Sequence, residues 1–147
     1  VLATTVVAVV GLMHLKDYIN RSEALRAMNQ LGEYVLRYRK QHGSLPPGAF
    51  VDGIKDRLEG AARLGSVKYR ALYIGPNAPG DTVLAYSLRR YPTSFLADGY
   101  VVLRLDGTVG WMTPYQFEDL FAAQRVPAEP NLPGERPSAS FPPFISP

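Results

Sequence analysis

Residues 1–15, VLATTVVAVVGLMHL, carry no formal charge, and eleven of the fifteen are Val, Leu, Ala or Met. Positions 6–13 are apolar all round, so the pattern predicts a helix covered by lipid or by other protein on every side. At 1.5 Å per residue the stretch spans roughly 22 Å, somewhat less than a bilayer core of about 30 Å. From Lys16 onward the pattern changes. Leu25, Met28, Leu31, Val35 and Tyr38 recur at spacings of three and four, which places them on one stripe of an amphipathic helix running to about residue 42. Arg26, Glu33, Arg37 and Lys40 fall mostly elsewhere. Asn20-Arg21-Ser22-Glu23 has the form of a capping box at which the helix could restart. Gln41-His42-Gly43 is its expected end, because Gly accepts the left-handed conformation and Pro46-Pro47 forbid resumption. Unbroken, residues 1–42 would measure about 63 Å. A domain of this size needs about half of that, so the rest serves something outside it.

The remaining pattern is shorter in period. Residues 52–64, DGIKDRLEGAARL, are expected to form a short helix with Ile54, Leu58, Ala61 or Ala62 and Leu64 inward. Residues 67–74 and 82–88 are rich in β-branched and aromatic side chains and predict strands, joined through the turn-rich 75–81. The sharpest local signal is 100–112, YVVLRLDGTVGWM, where two apolar runs flank Asp106-Gly107, a dipeptide suited to a type I′ hairpin. Thr113-Pro114-Tyr115-Gln116 then combines a helix N-cap, Pro in the first turn and a capping-box Gln. Phe117, Leu120 and Phe121 supply the apolar face of that helix. Seven of the 13 prolines lie in residues 127–147, so an extended tail is expected there, docked across a neighbouring subunit or back on its own domain, with Phe141 and Phe144 as its anchors. These elements define an α+β fold: a long amino-terminal helix with an apolar first half, packed on a small antiparallel sheet, followed by a short helix and a Pro-rich tail.

Composition narrows the chemistry. With 147 residues, 46% of them apolar, the chain supports one core. Sixteen Lys and Arg against 13 Asp and Glu leave +3, too small an excess to indicate nucleic acid. The chain has no Cys and two His, His14 and His42, which excludes a disulfide framework, a thiolate nucleophile and a multi-histidine metal centre within one chain. His14, in an apolar run, is a candidate ligand for a pigment or haem, but a packing role is the expected one. Asp98 and Asp106 read as turn residues. Lys68-Tyr69-Arg70 and Arg89-Arg90-Tyr91 read as alternating strand faces. No nucleophile motif or phosphate loop is present, so no enzyme activity, cofactor, metal or small-molecule substrate is expected.

The order of elements resembles the type IV pilins and pseudopilins. Residues 31–47, LGEYVLRYRKQHGSLPP, are similar to the pilin segment in which an aromatic helix end gives way to His-Gly and then a proline pair. Residues 97–112, ADGYVVLRLDGTVGWM, resemble the carboxy-terminal strand pair of a prepilin-type family marked by a His, nine residues and Asp-Gly. Asp106-Gly107 matches, whereas Leu96 stands in the His position. Thr5 stands where pilins carry an assembly Glu. The resemblance covers about residues 1–125. It implies a structural subunit in three parts: an apolar segment 1–15, a globular part 16–126 and the tail 127–147. Val1, Leu2, Val6, Val7, Val9, Val10, Leu12 and Met13 would form the membrane or assembly surface. The implied partners are copies of the chain, or other subunits of a membrane complex, together with membrane lipid. The implied location is the cytoplasmic membrane, with the domain outside the cytoplasm, or an extracellular filament. The alternative is a single-span accessory subunit of a heteromeric membrane complex.

Overall fold

The computed structural model describes residues 2–91 and 96–132, with side chains from residue 9 onward. One helix, α1 (Leu2–His42), runs without interruption through the possible restart at residues 20–23. Its 41 residues correspond to about 62 Å. Its end is the expected one. Gly43 has φ +75° and donates its N–H to the Arg39 carbonyl at 2.8 Å, and the His42 ring stacks on Tyr38 while its Nδ1 donates to the Tyr38 carbonyl at 3.0 Å.

Four strands form an antiparallel sheet in sequence order: β1 (Lys68–Tyr69), β2 (Val83–Arg89), β3 (Gly99–Arg104) and β4 (Val109–Met112). One face carries α1, α2 (Gly48–Lys55) and α3 (Ala61–Leu64), and α4 (Pro114–Gln124) covers the other. The fold is therefore α+β, with the long helix packed on an antiparallel sheet and a short helix closing the chain's core. The side chains of β3 alternate between the two covered faces, Val101 and Leu103 toward α1, Tyr100 and Val102 toward α4, so the strand is apolar throughout. A bulge between Val83 and Ala85 resets the alternation in β2, which lets Leu84 and Ala85 both join the α1 side.

The expected stripe of α1 is the core seam. Met28, Leu31 and Val35 are fully buried, and Leu25 and Tyr38 flank them half-buried. Ala24 and Ala27 are buried as well, small residues that let the helix approach the sheet. At the far edge of this contact, the Arg21 guanidinium lies 4.2 Å from the Trp111 ring centroid.

Three local expectations are corrected. The helix expected over 52–64 is two helices, because Gly60 takes φ +82° and a Cβ there would meet the Glu23 carbonyl at 2.8 Å. The α3 segment is instead held to α1 by Glu23–Arg63 and Arg26–Glu59 ion pairs, both 3.3 Å. The strand expected over 67–74 stops after two residues and passes into a 3-10 turn at Ala71–Tyr73. Arg70 leaves the extended conformation at φ −104°, ψ 9°. Its burial, described below, outweighs the β preference of its neighbours. The 100–112 hairpin forms, but its turn is not type I′, since Gly107 alone has positive φ (+90°) and Asp106 does not. Gly107 N–H reaches the Arg104 carbonyl and Arg104 N–H reaches the Thr108 carbonyl, both at 2.9 Å, a three-residue connection with its bulge at Gly.

Candidate functional site

The first candidate surface is the part of α1 that leaves the domain. Val9, Leu12, Met13, Leu15, Tyr18 and Ile19 are exposed large apolar side chains, with Leu12 66% and Tyr18 71% accessible. At 100° per residue Val9, Leu12, Met13 and Ile19 share one side of the helix, and Leu15 adjoins them. Val10 is half-buried and His14 is exposed. Leu2, Val6 and Val7 lie in the helix, but their side chains are outside the described part of the structure, as is Val1 altogether. Among the described residues, no helix is long and apolar enough to cross a membrane. Five of these side chains form one exposed apolar surface along this part of the helix, and Tyr18 lies on another side.

The second surface is a cleft of about 800 Å³ at the other end of α1, between the loop after the helix and the segment 67–76. Its floor holds a pair that sequence reasoning missed. Arg70 and Glu129 have side chains only 3% exposed, and they meet in a bidentate contact, Nε to Oε1 at 2.5 Å and Nη2 to Oε2 at 3.0 Å. Arg70 Nη1 also donates to the Val83 carbonyl at 2.7 Å, its Nη2 to the Gln124 carbonyl at 3.2 Å, and its guanidinium sits 4.9 Å from the Phe121 ring centroid. Gln124 completes the tie by accepting the Val83 N–H at 2.8 Å. The pair thus fastens the chain after α4 to the start of β2. Leu132 is buried against Phe117 and Phe121, so residues 127–132 pack on their own domain. Arg70 and Glu129 are separated by 59 positions, and no local pattern links them. Phe141 and Phe144, the expected tail anchors, lie outside the described residues.

The walls of the cleft hold tyrosines, prolines and aliphatic side chains, with Arg39, Asp52 and Lys68 among them. Tyr69 donates its hydroxyl to the Pro46 carbonyl at 2.8 Å, and burial pushes its phenol well above the ordinary range. Burial, aided by the charge of Glu129, likewise pushes Tyr86 up to about 12. Both are neutral at physiological pH, so the walls present ring faces and no phenolate.

Among the described residues, no group of three His, Asp or Glu side chains is placed to hold a metal. Asp98 accepts the Tyr91 N–H at 2.7 Å. Asp106 accepts the Thr108 hydroxyl at 2.7 Å and its N–H at 2.9 Å. Those bonds hold the Asp106 carboxyl below its ordinary value, with the hydroxyl contributing most. Asp106 acts as a turn residue, as expected, whereas Asp98 ties the start of β3 back to Tyr91. Of the basic-aromatic pairs, Arg70 is buried in its ion pair and Arg90 is exposed. Comparisons of the chain with protein-family models, with curated proteins and with solved structures return no match.

Proposed function

We propose that the chain is a structural, pilin-like subunit that assembles through the amino-terminal half of α1. The observation that carries this reading is the run of six exposed large apolar side chains from Val9 to Ile19, on a helix whose second half is fixed to a folded domain. Burying them against neighbouring helices, at about 1 kcal/mol each for side chains already partly covered, contributes on the order of 6 kcal/mol per subunit before ordering costs. Ala3, Ala8 and Gly11 are small enough to let helices of neighbouring copies come close. The packing of α1 on an antiparallel sheet, and the chain resemblance at 31–47 and 97–112, support the same reading. In it, the domain sits outside the cytoplasm, either anchored in the cytoplasmic membrane or carried on an extracellular filament.

The test is the mass and composition of the gently solubilised particle from the full chain, with and without Leu12→Asp and Ile19→Asp. One repeating chain, dispersed to single copies by the two substitutions, is the expected result. A particle of several unlike chains would replace self-assembly with an accessory role in a heteromeric complex. A full chain that is monomeric before substitution, or an assembly indifferent to it, overturns the reading.

A further inference from the structure

The cleft at the far end of α1 combines aromatic, proline and aliphatic side chains with Arg39, Asp52 and Lys68. Tyr69 and Tyr73 supply aromatic walls, Pro46 and Pro47 a rigid rim, and Leu72 is 92% exposed at its mouth. Aromatic-lined grooves accept polyproline-type segments because the ligand is already extended and loses little entropy on docking. The charged groups on the floor, Arg70 and Glu129, are satisfied by one another, while Arg39 and Lys68 bring positive charge to the lining.

The chain itself carries a matching segment. Pro130 and Asn131 line the cleft, so the polypeptide passes its rim immediately before Leu132. Fifteen residues follow, 133–147, with five prolines and the sequence Phe141-Pro142-Pro143-Phe144. Phe141 lies nine residues beyond Leu132, a reach of up to about 28 Å in polyproline geometry. We infer that the cleft is the docking site of this chain's own segment 133–147, with Phe141 and Phe144 seated between the tyrosine walls and Leu72. Tethering at Leu132 gives the segment a millimolar effective concentration at its own cleft, which favours docking on the same chain over docking on a neighbour. This inference does not depend on how α1 assembles.

The absence of native Cys makes the test direct. Ser140→Cys is combined in the full chain with Leu72→Cys in one variant and with Tyr115→Cys in another. Tyr115 is 81% exposed on α4, outside the cleft. A short bis-maleimide is added at low protein concentration, and products within one chain are separated from chain dimers on a denaturing gel. The expected result is intrachain linkage at least about tenfold faster to position 72 than to position 115, with the difference abolished by Phe141→Ala and Phe144→Ala. Equal rates at the two positions overturn the docking site. Chain dimers as the main product with Leu72→Cys overturn docking on the same chain, and a preference that survives the two Phe substitutions overturns the role of the anchors.

Discussion

Arg70 and Glu129 carry the largest single-residue consequence. A buried ion pair adds little or nothing to stability against a well-packed apolar substitute, but removing one partner strands the other's charge away from water. Glu129→Gln is therefore expected to cost about 3–5 kcal/mol, and the double substitution Arg70→Met with Glu129→Leu less than the sum of the singles. Urea denaturation of the four members of that cycle checks it, and strict additivity would show that the pair is not coupled. Arg70→Lys should be nearly as damaging as loss of charge, since Lys cannot make the bidentate contact and reach the Val83 carbonyl together. Beside this pair, Tyr86 supplies a pH signature. Its phenol ionises near 10 when unfolded and is pushed up to about 12 in the fold, so the neutral form is the one the fold favours. The stability it contributes is complete below pH 10 and is lost as the pH rises from 10 toward 12. Denaturant midpoints measured across that window should fall, and Tyr86→Phe should make the fall shallower.

At the scale of elements, two boundaries are set by single residues. Thr113 caps α4 in a complete capping box, its Oγ1 accepting the Gln116 N–H at 3.3 Å while Gln116 Oε1 accepts the Thr113 N–H at 3.1 Å. Thr113→Ala should lower stability by about 1 kcal/mol, read as a shift in thermal midpoint. Gly60 separates α3 from the preceding turn, and Gly60→Ala faces both a left-handed backbone and the Glu23 carbonyl. It should cost at least about 1–2 kcal/mol, and hydrogen exchange should show the 56–64 region loosening from α1 before the sheet does. The capping box and the end of α1 were readable in the sequence because each is local chemistry within a few residues. The short β1 was not, because its length is decided by what Arg70 meets across the fold.

At the scale of the whole molecule, the environment of α1 changes along its length. From Ala24 to Val35, α1 is part of the core, and from Val9 to Ile19 its large side chains are exposed. On the proposed reading, substitutions in the second set act on association without acting on folding. Leu12→Asp and Ile19→Asp are expected to leave the denaturation midpoint of the domain within about 0.5 kcal/mol of the parent, the usual range for surface changes. A larger drop, under conditions where neither protein is assembled, would mean that the apolar half packs on its own domain.

What the sequence determined by itself was the alternation of environments: an uncharged apolar start, the 3.6-residue stripe from Leu25 to Tyr38, the 100–112 hairpin, and the cap at Thr113. Each depends on residues that lie within a few turns or one strand pair of each other, so the chain announces it locally. The tertiary structure alone decided which cluster sits on which sheet face, that the turn at Asp106-Gly107 has its bulge at Gly107, and that Arg70 turns inward to meet Glu129. Those outcomes depend on side chains brought together across tens of positions, where burial and pairing outweigh local preference. The cleft above that pair is likewise a product of three segments distant in the chain, the loop after α1, the 3-10 turn and the stretch after α4, none of which forms a surface alone.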